Sequence, residues 1–145
     1  WRALVSPDRQ TTFEPGDYTY WRLQNGVPDT GDFIRERSMM LESNMDLLHG
    51  VSFDKGCYMG QELTARTHYR ALVKKRLLPL RFARTVQIPF DTPVMMGEQT
   101  IGYVRSQHRD LGLALLQLEN LSDGASVTVG DEAATVFFPE WFILP

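Results

Sequence analysis

The chain has 145 residues, a formal net charge of −3, 43% hydrophobic and 23% charged residues; this suits one ordinary folded domain, or two small units sharing a core, and excludes a low-complexity polymer. The mild charge announces no nucleic-acid or membrane partner, and no apolar run approaches the roughly 20 residues of a membrane span. A single cysteine, Cys57, excludes an internal disulfide and fits a reducing intracellular compartment.

Trp1–Val5, "WRALV", reads as a strand, and the absence of an initiator methionine suggests a piece of a longer protein lacking its N-terminal part. After "FEPGDY" a helix is expected, capped by Asp17, running through Trp21, Arg22 and Leu23 and stopped at Gly26 with Pro28 beyond. "GVPDTGDFIRERS" is a loop. Met39 to Leu48 reads as irregular with a short helical turn, capped at Ser43 or Asn44. Gly60 to Ala71 has helical composition, with Gln61 and Glu62 in the first turn and Glu62 spaced for an i,i+4 pair with Arg66.

From Lys75 the pattern changes to period two. "RLLPLRF" puts Leu78, Leu80 and Phe82 on one face, with Pro79 suggesting an edge strand. "VMMGEQTIGYV" and "VTVGDEAATVFF" read as hairpins turning at Gly97-Glu98 and Gly130-Asp131, since glycine first is what a type II′ turn requires. "LGLALLQLE" between them suits a strand buried on both faces. Five or six short strands predict a small antiparallel barrel or sandwich over about residues 75 to 140. The fold class is thus α+β: residues 1–72 form a mixed α/β segment and residues 73–145 a C-terminal antiparallel β-barrel.

"DKGCYMGQEL", residues 54–63, holds Cys57. A lone cysteine is commonly a buried small hydrophobe. Here Lys55 and the start of the following helix favour the thiolate, and Gly56 and Gly60 let a backbone or ligand approach. The two readings, packed thiol and reactive thiolate, stay open on these features. Metal chemistry needs more ligands than the chain supplies: a structural zinc or an iron–sulfur cluster wants about four, and His49, His68 and His108 lie at no ligand-like spacing. Cys57 can hold a cluster only by sharing it. A cysteine hydrolase would need a histidine base nearby, and His68 sits on the far part of the expected helix.

The run "GVSFDKGCYMGQELTARTHYR" closely resembles the signature of the YgfZ-type folate-binding and iron–sulfur cluster assembly family, relatives of the glycine-cleavage T-protein aminomethyltransferases. Lys55, Gly56, Cys57, Tyr58, Gly60, Gln61 and Glu62 match its K-G-C-[FY]-x-G-Q-E motif. "RLQNGVP", "LESN", "KKRLLPLRF" and "IGYV…LGLALL" support the resemblance, which spans residues 18 to 118 and thins in the last 25. It implies a cloverleaf-like protein around a tetrahydrofolate-binding channel, with the cysteine loop facing that channel. The family assists assembly or repair of iron–sulfur proteins, its mitochondrial branch with an A-type scaffold that brings further cysteines. By this resemblance Cys57 is a shared cluster or thiol ligand and Arg22 a folate contact, set against a solvated helix face for Arg22. Gln24 and Asn25 replace the family's glutamate and alanine, so a carboxylate is lacking there.

No acidic residue lies between Glu62 and Asp91, whereas Arg66, Arg70, Lys74, Lys75, Arg76, Arg81 and Arg84 are basic. This is either a solvated surface or an anion-facing patch. Docking of a protein partner, the A-type scaffold, is assigned to Arg66, Arg70, Lys74, Lys75 and Arg76; sparse aromatic interleaving argues against RNA. The leading expectation is therefore a non-catalytic assembly factor in the mitochondrial matrix or bacterial cytoplasm, acting on iron–sulfur client proteins. Its alternatives are a tetrahydrofolate-dependent aminomethyl transferase and a structural module in which Cys57 is merely packed.

Overall fold

Helix α1 spans Pro15–Gln24, and its proline stands where a missing N–H and a fixed φ cost nothing. The cap lies one turn before the one expected: Glu14 is the N-cap, and its backbone N–H donates to Asp17 Oδ2 at 3.1 Å. Asp17 therefore closes the first turn from inside the helix. Gly26, at φ +64°, ends α1 as expected. The computed structural model describes residues 14–70 and 73–142; the strand expected at Trp1–Val5 and the helix end expected at Ala71 lie outside them.

A 3-10 turn, Thr30–Asp32, follows α1, then an irregular ladder of turns over residues 40–49. Neither residue considered as a cap there caps a helix. Ser43 Oγ donates back to the Met39 carbonyl at 2.9 Å, and Asn44 adopts a left-handed backbone (φ +60°). Helix α2, Gln61–Tyr69, starts at Gly60 and buries none of its residues.

Six strands, β1 (Lys75–Phe82), β2 (Pro93–Met96), β3 (Gln99–His108), β4 (Leu111–Gln117), β5 (Ser126–Val129) and β6 (Glu132–Val136), close into an antiparallel barrel in the order β1-β4-β3-β2-β5-β6. The barrel, not the sandwich, is realised. Both expected hairpins have two-residue turns, Met96 facing Gln99 and Val129 facing Glu132. Gly97 and Gly130 take φ +62° and +61° while Glu98 and Asp131 stay out of the left-handed region, the sign pattern of a type II′ turn. As expected, β4 is buried along almost its whole length between β1 and β3.

Leu78, Leu80 and Phe82 share the barrel interior with Val94, Val104, Leu116, Val129 and Val136. Leu77 points outward yet is equally buried, packing with Leu23 of α1 and with Leu111 and Leu113 of β4. Alternation on β1 thus hides both faces, because α1 covers the outer one. Each such leucine contributes roughly 1.5–3 kcal/mol of burial.

Pro79 is not on an edge strand, since β1 pairs with both β4 and β6. Its carbonyl accepts from Phe137 N–H at 3.1 Å, so its nitrogen also faces the β6 side, just past the last β1–β6 pair, Leu80 with Val136. The missing donor therefore falls where that ladder ends. One step further the irregular segment takes over: Leu77 N–H donates to the Glu42 carbonyl at 2.9 Å, and Asn44 Nδ2 donates to the Leu77 carbonyl at 2.6 Å.

Candidate functional site

The segment 53–60 leaves the turn ladder and folds back along α2. Its far end is fixed by Gly60, whose φ of +87° is open to glycine and strained for other residues. That turn brings Gln61 N–H to the Tyr58 carbonyl at 3.3 Å, while Gln61 Oε1 accepts from Tyr58 N–H at 3.0 Å. Its near end is fixed by Phe53, stacked flat on His68 of the last helical turn with ring centroids 3.6 Å apart and an interplanar angle of 11°. The loop is therefore held at both ends of a short helix.

Between these two fastenings lies a cleft of about 210 Å³ lined by Lys55, Gly56, Cys57, Tyr58 and Gln61 of the motif, together with Ser52, Phe53, Ala65 and Tyr69. Cys57 is exposed in it, which decides between the packed and the presented thiol. Lys55 Nζ sits 5.2 Å from the Tyr58 ring centroid, so the aromatic face holds a cation near the thiol. Glu62 is exposed on the first turn of α2 and does not line the cleft; it makes no ion pair with Arg66 among the described residues. Among the described residues no three of His, Cys, Asp and Glu come together as a metal site.

Gly56 behaves differently from Gly60. Its φ is not positive, and a Cβ built on it meets nothing within 4 Å. Nothing among the described residues requires a glycine there, so the space it leaves is open to an approaching molecule.

Arg22 is neither a solvated helix face nor open to the cleft. Its Nη1 donates to Asp32 Oδ2 at 2.7 Å, and the two side chains are 9% and 0% exposed. The buried carboxylate that neutralises it comes from the 3-10 turn, where Asp32 also accepts from Asp29 N–H. The guanidinium carried over as a folate contact is thus committed internally, and its surroundings do not fit a folate ligand.

The basic residues divide in two. Arg76 is buried: it forms a two-pronged pair with Asp46 at 2.5 and 2.9 Å and donates to the Leu41 carbonyl at 2.7 Å. Its assignment to docking is corrected, because a guanidinium buried against Asp46 and the Leu41 carbonyl is out of a partner's reach. Arg84 pairs with Glu132 at 2.5 Å and Arg81 lies over Phe137. Arg66, Arg70 and Lys74 are exposed, and Lys75 is half-buried in β1.

Sequence reasoning missed Phe53, Asp32 and Asp46, and gave Asn44 a capping role in place of its bond to the Leu77 carbonyl. The aromatic Phe53 just ahead of the motif, with His68 and Tyr69 late in the helix, was the one signal for the cleft wall. Asp29 and Asp32 at capping-box spacing were a signal for the 3-10 turn but not for the arginine it serves.

Residues 74–143 match the family described as "CAF17, C-terminal beta-barrel domain", so the likeness continues through the C-terminal stretch where it was expected to thin. The mitochondrial iron–sulfur cluster assembly factor IBA57 of Homo sapiens is 38% identical over 98% of this chain and 44% of its own length. The Mus musculus protein of the same name is 33% identical over the same shares. The Mycosarcoma maydis homologue is 51% identical over 50% of this chain and 18% of its own length. The chain spans 44% of the length of the human and mouse relatives.

Proposed function

Because the chain belongs to the family of the YgfZ-type and IBA57 iron–sulfur cluster assembly factors, we propose that it is the part of such a factor that presents Cys57 to a cluster in transit. The cluster is cargo: Cys57 gives one thiolate, and an A-type scaffold gives the remaining cysteines before an iron–sulfur client receives the product. The observation that carries this reading is an exposed thiol in a fixed loop, with no group of three metal-ligating side chains gathered anywhere among the described residues. One ligand on a rigid mount suits sharing and release better than storage.

The surrounding residues have chemical parts in that act. Lys55, held over Tyr58, offers positive charge beside a thiolate-ligated cluster, which is anionic. Gln61 fixes the loop backbone through Tyr58, so the sulfur is aimed before the partner arrives. Gly56 leaves room for the incoming scaffold. Arg22, closed on Asp32, takes no part in this act. The relatives are named as mitochondrial, and the proposal puts this chain in the same compartment.

The test mixes the full-length protein with an A-type scaffold, ferrous iron and sulfide without oxygen. The expected result is a visible iron–sulfur absorbance that needs both proteins and disappears in Cys57→Ser. An unchanged spectrum in Cys57→Ser removes the cluster-ligand role.

A further inference from the structure

From Val51 to Cys57 the chain makes no hydrogen bond and no ion pair among the described residues. The whole run ahead of the thiol thus lacks the ties that ordinarily fix a loop. What it has instead is a ring contact. Phe53, half-buried, lies flat on His68 with centroids 3.6 Å apart, and Tyr69 meets both rings edge-on, 6.2 Å from Phe53 and 5.1 Å from His68. Lys55 over Tyr58 is a contact within the loop and does not join it to the helix. His68 is exposed and does not line the Cys57 cleft, whereas Phe53 and Tyr69 do, so it acts on the cleft through the rings it touches. It fills no core either, since α2 buries none of its residues.

We propose that His68 is a positioning residue: by holding Phe53, its ring sets where the chain ahead of Cys57 lies along α2, and so where the sulfur is presented. Only what the sulfur then does rests on the cluster-sharing reading. Gln61 in the first turn of α2 and His68 in the last stand about 10 Å apart along the helix axis. Cys57 hangs between these two anchorages, so releasing Phe53 lets it swing about Gly60 and Gln61, which hold only its other side. Parallel rings at this spacing touch over their whole faces. That contact asks for a flat side chain, not for a base or a ligand. Phenylalanine meets the requirement as histidine does; glutamine, which keeps a polar nitrogen and loses the ring, does not.

The experiment puts a nitroxide on Cys57, the one cysteine of the chain, and reads its motion by electron paramagnetic resonance with no scaffold or iron present. Expected is slow label motion in the parent and in His68→Phe, and motion about twofold faster in His68→Ala, His68→Gln and Phe53→Ala, all melting like the parent. Because the two rings work through one contact, Phe53→Ala/His68→Ala is expected to free the label no further than either single change. With the scaffold, ferrous iron and sulfide, unlabelled His68→Ala and His68→Gln are expected to build the absorbance about tenfold more slowly, and His68→Phe at the parent rate. The proposal is overturned if the label moves in His68→Ala as in the parent, if His68→Phe behaves like His68→Gln, or if the label is freed while Cys57-dependent assembly keeps its rate. Assembly that survives Cys57→Ser, with the label still freed by His68→Ala, sinks the cluster role alone; assembly lost in Cys57→Ser, with a label indifferent to His68, sinks the positioning role alone.

Discussion

Arg66 and Arg76 are ten positions apart in one basic stretch, and the structure gives them opposite work. Arg76 is 4% exposed against Asp46 and a carbonyl, whereas Arg66 stands in water. Removing one partner of a buried pair strands the other, at about 3–5 kcal/mol. Asp46→Ala is therefore expected to lower unfolding stability by about 3 kcal/mol, read as a shifted urea midpoint. Arg66→Ala is expected to stay within about 0.5 kcal/mol, as surface substitutions do. Equal losses in the two variants would refute the division. At this scale the sequence was legible only where a residue's role is local. The start of α2 at Gly60 could be read from neighbours, whereas Cys57 stayed open between packed and presented until the family motif was matched. The partners of Arg22 and Arg76, ten and thirty positions away, could not be read.

Among the elements, the loop before α2 carries two glycines that a motif writes alike. Gly60 carries a left-handed backbone and Gly56 does not. An L-residue in that region costs roughly 1–2 kcal/mol, so Gly60→Ala is expected to loosen the loop and the first turn of α2, seen as faster amide exchange over residues 58–64. Gly56→Ala is expected to fold and exchange like the parent while assembling less cluster with the scaffold. Normal assembly in Gly56→Ala would show that no partner passes close to it. The hairpins were legible because a two-residue turn and period-two strands are written in adjacent residues. Closure of β6 onto β1, which moved Pro79 off an edge, depends on strands far apart in sequence.

At the scale of the molecule, the two ends of the described chain are tied together. Trp141 Nε1–H donates to the Asn25 carbonyl at the end of α1 at 2.8 Å, and a Cβ on Gly26 would lie 2.7 Å from Pro139. The segment after β6 thus holds α1 against the outside of the barrel, above Leu77 and Leu113. Trp141→Phe keeps most of the ring and loses the donor; a stability loss of about 1 kcal/mol is expected, a fall of about 2–4 °C in Tm at this chain length. An unchanged melt would mean the bond adds nothing to the seating of α1. The α+β class was legible from the change of period at Lys75. The way α1 wraps the barrel was not, since nothing in a short amphipathic segment names the surface that will receive it.

A ring of strands has no first or last member. Each strand of this barrel pairs with a neighbour on both sides, and beyond the end of β6 residues 42–44 take over beside Leu77. It therefore has no edge strand on which a foreign strand could grow, which guards against both strand exchange and fibril templating. Recognition by an added strand is closed to this ring. Partners meet it through side chains and loops.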